Sequence, residues 1–294
     1  MTPFPDPDSR VHADRPKQSD HSVIMSSPEV SIVIPNYRTP DLTKICLRLI
    51  RKNTDSDRIK VIVIDNDSRD ASTDYLRSLD WIQLIERTGV AGETVGQSHA
   101  RALDLGLKQV NTPYVLSIHT DTLVHHPGWL DFLLQNIERS QNIAGVGSWK
   151  LETKPLIQRS FKRVERAVQT ILFSLLGKGD GQIEGRNDNF YYLRSHCALY
   201  RTDRIRRHQL SFSQGDDTAG KMMHKALLDA GYEMVFLSPE TLIRYLFHAN
   251  HATMVLNPDL GSSKRSIRRG TRRIEKTLAS IDARAVLADE SLDR

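Results

Sequence analysis

The chain has 294 residues, 39% hydrophobic and 26% charged, an ordinary balance for a soluble globular protein that is long enough for one large domain or one domain with substantial appendages. A formal net charge of +5 admits a polyanion or an acidic membrane surface as a partner without requiring one. The two cysteines, Cys46 and Cys197, lack metal-ligand spacing and point to a reducing compartment, and no apolar run is long enough to cross a bilayer.

Residues 1–28 carry Pro, Asp, Ser and His with hardly any apolar pattern and no signal-peptide core, so a disordered leader is expected. With neither an export signal nor a span, the cytoplasm is the expected location. Val30 to Ile34 then reads as a buried strand ending at Pro35, Asn36 and Tyr37. Asp41 is placed to cap a helix that carries Leu42, Ile45, Leu49 and Ile50 on one face. Val61 to Ile64 is a second buried strand, ending in Asp65, Asn66, Asp67 and Ser68. A helix from Ala71 to Leu79 and a short strand over Ile82 to Ile85 follow. The glycine-rich stretch Gly89 to Gly96 opens a helix that runs through Leu107.

Pro113 to Thr122, PYVLSIHTDT, is the central stretch. Tyr114, Val115, Leu116 and Ile118 form an apolar strand that suits burial on both faces and runs into His119, Thr120 and Asp121. Strands alternating with helices at this spacing argue for a parallel, doubly wound sheet, in which ligands bind beyond the carboxyl ends of the strands. A carboxylate there, beside an imidazole, is placed to hold a cation against a phosphate. Each polar strand end has a plainer reading: Asp67 or Ser68 can simply cap a helix, and His119 can cap its strand. Gly89 to Gly96 lacks the spacing and position of a dinucleotide fingerprint, and no Walker-type motif occurs. A dehydrogenase and an ordinary NTPase are therefore poorly supported.

Three segments, VSIVIPNYRTPDL, VIVIDNDSRDAS and PYVLSIHTDTLVHHPGWL, in this order and spacing resemble the nucleotide-binding half of family 2 glycosyltransferases with the GT-A fold. The resemblance covers residues 30–134 and extends more weakly to His251. It implies an α/β fold of GT-A type: a Rossmann-like, mostly parallel sheet flanked by helices, an acceptor-side half and a helical C-terminal tail. Residues 29–150 would form the nucleotide-sugar-binding half, 151–260 the acceptor-side and catalytic-base half of the same domain, and 261–294 a basic helical tail. The resemblance further implies a nucleoside-diphosphate sugar donor, a divalent cation (Mn²⁺ or Mg²⁺), and transfer of a hexosyl or deoxyhexosyl group with inversion to a glycan or lipid-linked acceptor.

Carried onto this chain, the resemblance puts Pro35, Asn36 and Tyr37 along the nucleobase and Asp65 and Asn66 against the base and ribose. Thr120 and Asp121 fall on the Asp-containing metal motif, with Asp121 as the carboxylate that holds the cation on the donor diphosphate. His119 departs from the pattern: it stands where a DxD motif has its first acid. An imidazole can ligate Mn²⁺ but suits Mg²⁺ poorly. His248, with His251 as the alternative, matches a histidine that completes the metal shell after the last core strand.

Farther along, Leu156 to Leu176 reads as an amphipathic helix that either packs on its own protein or meets an anionic membrane. A run through Gly177, Gly179, Gly181 and Gly185 follows, and Tyr191 to Tyr200 reads as a return strand, with Ser195 and His196 facing the site. Asp216 and Asp217 lead into a helix bearing Met222, Met223, Ala226 and Leu227, closed by Gly231 before a strand at Met234 to Leu237. The resemblance makes Asp217, with Asp216 as runner-up, the base that takes the acceptor hydroxyl's proton. Without it, both aspartates read as helix N-terminal carboxylates. Ala219 stands where the family commonly has a further acid.

The tail from Ser262 carries Lys264, Arg265, Arg268, Arg269, Arg272, Arg273 and Lys276 beside a thin stripe of Ile267, Ile274, Leu278 and Ile281. It reads either as a solvated helix or as a surface for anionic lipid. Nucleic acid is not an expected partner, because the tail lacks aromatic stacking platforms. Two rivals to the transferase are a GT-A module that binds sugar nucleotides or acts as a scaffold without turnover, and a nucleotidyltransferase. The second expects a glycine-rich basic loop after the first strand, and Pro35 to Pro40 has no glycine.

Overall fold

The computed structural model describes residues 27–151, 189–216, 218–250 and 252–294, with Asp216 described by its backbone alone. Most of the expected leader, the Leu156 to Leu176 helix, the glycine run after it, Asp217 and His251 lie outside the described residues.

The first half alternates as its apolar runs predict: β1 (Val30–Asn36), α1 (Pro40–Asn53), β2 (Ile59–Asp65), α2 (Ala71–Arg77), β3 (Ile82–Glu86), α3 (Val95–Lys108) and β4 (Tyr114–Ile118). Then come β5 (Thr122–Val124), α4 (Trp129–Glu138), β6 (Ile143–Gly147), β7 (Cys197–Arg201) and α5 (Thr202–Arg207). The chain continues with α6 (Lys221–Asp229), β8 (Glu233–Phe236), α7 (Pro239–Leu242), β9 (Leu246–His248), α8 (Ala252–Leu256), α9 (Lys264–Ser280) and α10 (Ala283–Ala288).

Seven strands form one sheet in the order β3-β2-β1-β4-β7-β6-β8, and β5 pairs with β9 in a separate two-stranded sheet. The sheet is mixed: β7 runs antiparallel to both β4 and β6, while the remaining pairings are parallel. Its strands are coated on both faces. Ile32, Ile34, Val61, Val63 and Leu116 belong to one core cluster, and the alternate residues Val33, Ile62, Ile64 and Val115 belong to another. This is the period-2 division expected of a strand buried on both sides.

Close packing of α3 depends on Gly106, where a Cβ would lie 2.3 Å from Val33 Cγ1. Only glycine lets the helix axis approach that near, and the approach brings the N-terminal turns of α3 over the carboxyl ends of the strands.

Several local expectations are corrected. Asp41 lies in the first turn of α1, behind Pro40 at the first helical position, and Thr39 holds the cap position. Neither Asp67 nor Ser68 caps α2; Asp70 does, its side chain accepting from the Ser72 N–H. The return strand is shorter than Tyr191 to Tyr200, because 191–196 are irregular and only Cys197–Arg201 joins the sheet. Helix α6 begins at Lys221, and Gly220, φ +76°, occupies its cap position.

The C-terminal residues fold back onto the first half. Arg48 on α1, with 3% of its side chain exposed, donates through Nε to Asp293 Oδ1 at 2.8 Å and through Nη1 to the Leu287 carbonyl at 2.6 Å. Tyr75 on α2 donates to the same carboxylate at 2.7 Å. On α9, Ile267, Ile274 and Leu278 turn inward against α8, and Gly270 sits under Val255. Its cations Lys264, Arg265, Arg268, Arg269, Arg272 and Lys276 are exposed. Among the described residues, no helix is long and apolar enough to cross a membrane.

Candidate active site

A cleft of about 650 Å³ opens at the carboxyl ends of β1, β2 and β4, a usual size for a small-molecule site. It lies where the strand order turns from β1 to β4, the crevice in which open α/β sheets bind ligands. Pro35, Asn36, Tyr37, Asn66, Thr120 and Asp121 all line it, as do His119 and His248. Asp65 lines instead a neighbouring pocket of about 460 Å³, and Asp67 borders both spaces. Three non-glycine residues on the cleft wall have left-handed backbones, Arg38, Asp67 and Asn250. Such conformations cost free energy and concentrate where a structure holds ligands.

Two buried carboxylates end neighbouring parts of the sheet in different ways. Asp65 accepts from Asn36 Nδ2 at 2.9 Å through Oδ1 and from Thr73 Oγ1 at 2.8 Å through Oδ2. Asn36 also donates to Ser68 and Ser72 and accepts from Thr43 at 2.6 Å, which closes a buried polar knot between β1, α1 and α2. Asn66 is similarly engaged: its Nδ2 donates to Ser98 at 2.8 Å and its Oδ1 accepts from Arg87 at 2.7 Å. Arg87 in turn pairs with buried Glu93, which closes the loop that leads into α3.

Asp121 is different. Its Oδ2 accepts from the Ala252 N–H at 3.1 Å, but Oδ1 is buried with no hydrogen-bond partner among the described residues. His248 Nε2 approaches that oxygen to 3.1 Å without hydrogen-bond direction and is itself unpartnered, while His119 Nδ1 stands 3.8 Å away. Ligand atoms of His119, Asp121 and His248 lie within 4.8 Å of one another. One buried carboxylate oxygen and two imidazole nitrogens, the His119 ring partly exposed, gather around a common space and fit a divalent cation that accepts nitrogen ligands. The small sheet delivers the third ligand: β5 and β9 pair Thr122 with His248, and the Ala249 N–H donates to the Asp121 carbonyl at 2.9 Å.

The electrostatics agree with this chemistry. Burial works to raise the Asp121 pKa, but the neighbouring His248 and the Ala252 N–H outweigh it and hold the carboxyl well below its usual range. Burial pushes His119 and His196 down, and His99 to about 4, so these imidazoles stay neutral near pH 7. A neutral imidazole keeps a lone pair for a metal.

Two groups that the sequence did not single out are His99, on the cleft wall, and Ser148, bonded to His196 of that wall. His99, from the start of α3, and His119 both reach Ser195 Oγ, at 3.1 and 3.0 Å. His196 meets Ser148 Oγ at 2.9 Å and stacks on His248 with ring centroids 4.6 Å apart. His99 had a legible signal: the N-terminal end of a helix that follows a strand in this fold faces the ligand crevice. Ser148 had none, because its role depends on β7 running between β4 and β6. Of the acidic pair, Asp216 ends a 3₁₀ turn, Gln214–Asp216, and Ala219 lines the cleft while 4% exposed. Asp217 and His251 lie outside the described residues.

Comparison with known proteins places the family and the fold. The family described as Glycosyl transferase family 2 matches residues 31–208. No curated protein matches the chain. Among solved structures, the mannosyltransferase PcManGT from Pyrobaculum calidifontis, in complex with GDP-Man and Mn²⁺, superposes with a TM-score of 0.53 at 16% identity, over 90% of this chain and 80% of that one. Glucosyl-3-phosphoglycerate synthase from Mycobacterium tuberculosis gives a TM-score of 0.47 at 16% identity, over 90% and 87% of the two chains. TarS from S. aureus gives 0.48 at 14% identity, over 86% and 72%. The fold is that of a GT-A glycosyltransferase, and the chain belongs to glycosyltransferase family 2.

Proposed function

We propose that this glycosyltransferase moves a hexosyl or deoxyhexosyl group from a nucleoside-diphosphate sugar to a hydroxyl of a glycan or lipid-linked acceptor, with inversion and with a divalent cation at Asp121. The observation that carries the reading is the convergence of Asp121 Oδ1, His248 Nε2 and His119 Nδ1, two of them unpartnered, in the crevice beside Pro35, Tyr37 and Asn66. In this reading Tyr37 and Asn66 face the base and ribose, Asp65 braces the strand end behind them through Asn36 and Thr73, and Asp121, His119 and His248 hold the cation. The cation supplies charge neutralisation on the departing diphosphate. Two imidazoles and one carboxylate favour Mn²⁺ over Mg²⁺, which prefers an all-oxygen shell.

Residues 29–150 then serve the donor, and 151–260 contribute the acceptor side. Asp217, with Asp216 as the alternative, takes the acceptor proton during attack from the face opposite the nucleotide. The Mn²⁺-bound mannosyltransferase, which shares the fold, supports a cation-assisted reading. Incubation with a panel of sugar nucleotides and detection of nucleoside diphosphate tests the proposal. Release with at least one donor, abolished in Asp121→Ala, is expected. No release and no binding with any donor, with Asp121→Ala indistinguishable from wild type, would contradict it.

The exposed cations of α9 support a second, separable proposal, peripheral contact with the anionic cytoplasmic membrane face. The apolar stripe of this helix is already used against α8, so the contact would be electrostatic, at about 1 kcal/mol per cation near the surface. Sedimentation with anionic liposomes should show binding at low salt that weakens at moderate salt. Absence of binding at both would overturn it.

A further inference from the structure

Ser195 Oγ lies within hydrogen-bond distance of two imidazole nitrogens, His119 Nε2 at 3.0 Å and His99 Nε2 at 3.1 Å. A serine hydroxyl carries one proton and two lone pairs, so it can donate to only one of the two rings while accepting from the other. If Nε2–H of His119 donates to Oγ, and Oγ–H donates to His99 Nε2, then His119 Nδ1 is bare. That nitrogen faces Asp121 Oδ1 across 3.8 Å. In the opposite sense Nδ1 carries the proton and cannot bind a cation. The rings of His99 and His119 stand edge to face, with centroids 4.7 Å apart, which leaves His119 little freedom to turn. Ser195 is held in place by the turn that enters β7 and is 8% exposed.

We infer that Ser195 and His99 are positioning residues that select the His119 tautomer with a free Nδ1 and aim it at the cation beside Asp121. The inference rests on the proposed cation site and adds a chain of control behind one of its ligands. Metal-bound histidines are commonly oriented by a partner on the second ring nitrogen, and loss of that partner costs about 10–100-fold in metal affinity. Here the partner is a hydroxyl whose own direction is set by a second histidine. His99 acts only as an acceptor, so glutamine, which offers an amide oxygen, can replace it, whereas phenylalanine cannot.

The test uses the full chain and Mn²⁺ alone, without nucleotide. Affinity is read by electron paramagnetic resonance titration, and imidazole coordination by ¹⁴N modulation of the bound ion. Wild type should bind one Mn²⁺ with two coupled imidazoles. Ser195→Ala and His99→Phe should weaken binding about 10–100-fold and lose one imidazole coupling. Ser195→Thr and His99→Gln should restore both, and circular dichroism confirms that each variant is folded. Unchanged affinity and two couplings in Ser195→Ala and His99→Phe overturn the inference while leaving the cation site intact. No Mn²⁺ binding by wild type overturns the inference and the cation site together, and sugar-nucleotide turnover then decides the transferase reading separately.

Discussion

Asp65 and Asp121 invite a direct comparison. Each follows from a buried parallel strand, one ending β2 and the other lying just beyond β4, and they are 3% and 4% exposed. Asp65 has a protein donor on each oxygen, and its neighbours Asn36, Ser68, Ser72, Thr43 and Thr73 complete a polar knot. Asp121 has one oxygen tied to the backbone and one facing two histidines without a hydrogen bond. A carboxylate that is buried and satisfied holds strands together. A carboxylate that is buried, ionised and left with an open oxygen is prepared for something that arrives from outside.

The sharpest way to break the comparison is to remove each carboxylate in turn. Asp121→Asn should cut nucleoside diphosphate release by about a thousandfold, equivalent to ~4 kcal/mol of transition-state stabilisation, with little change in melting temperature. Asp65→Ala should do the reverse in kind: unfolding in urea should show a loss of about 2–3 kcal/mol, because Thr73 is left with a buried unsatisfied donor and the knot loses the carboxylate that joins Asn36 to Thr73. Its Mn²⁺ affinity should remain that of wild type. If Asp65→Ala unfolds as wild type does, the polar knot is not what holds β1 to β2.

A smaller effect tests the comparison away from the cleft. His224 on α6 is fully buried, accepts from the Leu193 N–H through Nδ1, and has no partner at Nε2 among the described residues. Its neighbours are Phe190 and Phe236 rather than other ligand groups, so it belongs to the core. Burial depresses its pKa from 6.5 to about 4. Between these values the unfolded chain binds the proton and the folded chain does not. This contribution to stability is therefore full above pH 6.5 and falls as pH drops toward 4. His224→Phe should lower the melting temperature near neutral pH by about 2–4 °C and narrow the gap between melts at about pH 7 and about pH 5. An unaltered gap would show that acid sensitivity arises elsewhere, with the cleft histidines the next candidates.

Much of the donor half could be read from the sequence, because strands buried on both faces are written as unbroken apolar runs and end abruptly in polar residues. The runs around Val30, Val61 and Tyr114 became β1, β2 and β4, and Asp121 and His248 meet as the motif order implies. The difference between Asp65 and Asp121 could not be read, since it depends on which side chains from α1 and α2 reach each oxygen. A return strand that brings Ser195 and His196 to the site was legible, but its insertion between β4 and β6, and the bonds from Ser195 to His99 and from His196 to Ser148, were not. The tie between Arg48 and Asp293 joins opposite ends of the described chain and has no local signature.

The central claim is that the open oxygen of Asp121, and not the satisfied carboxylate of Asp65, marks the cation site. Titration of Mn²⁺ into wild type, Asp121→Asn and Asp65→Ala, followed by electron paramagnetic resonance, tests it most directly. One bound ion in wild type and in Asp65→Ala, with none in Asp121→Asn, is the predicted result. Mn²⁺ binding that survives Asp121→Asn but is lost in Asp65→Ala would contradict it.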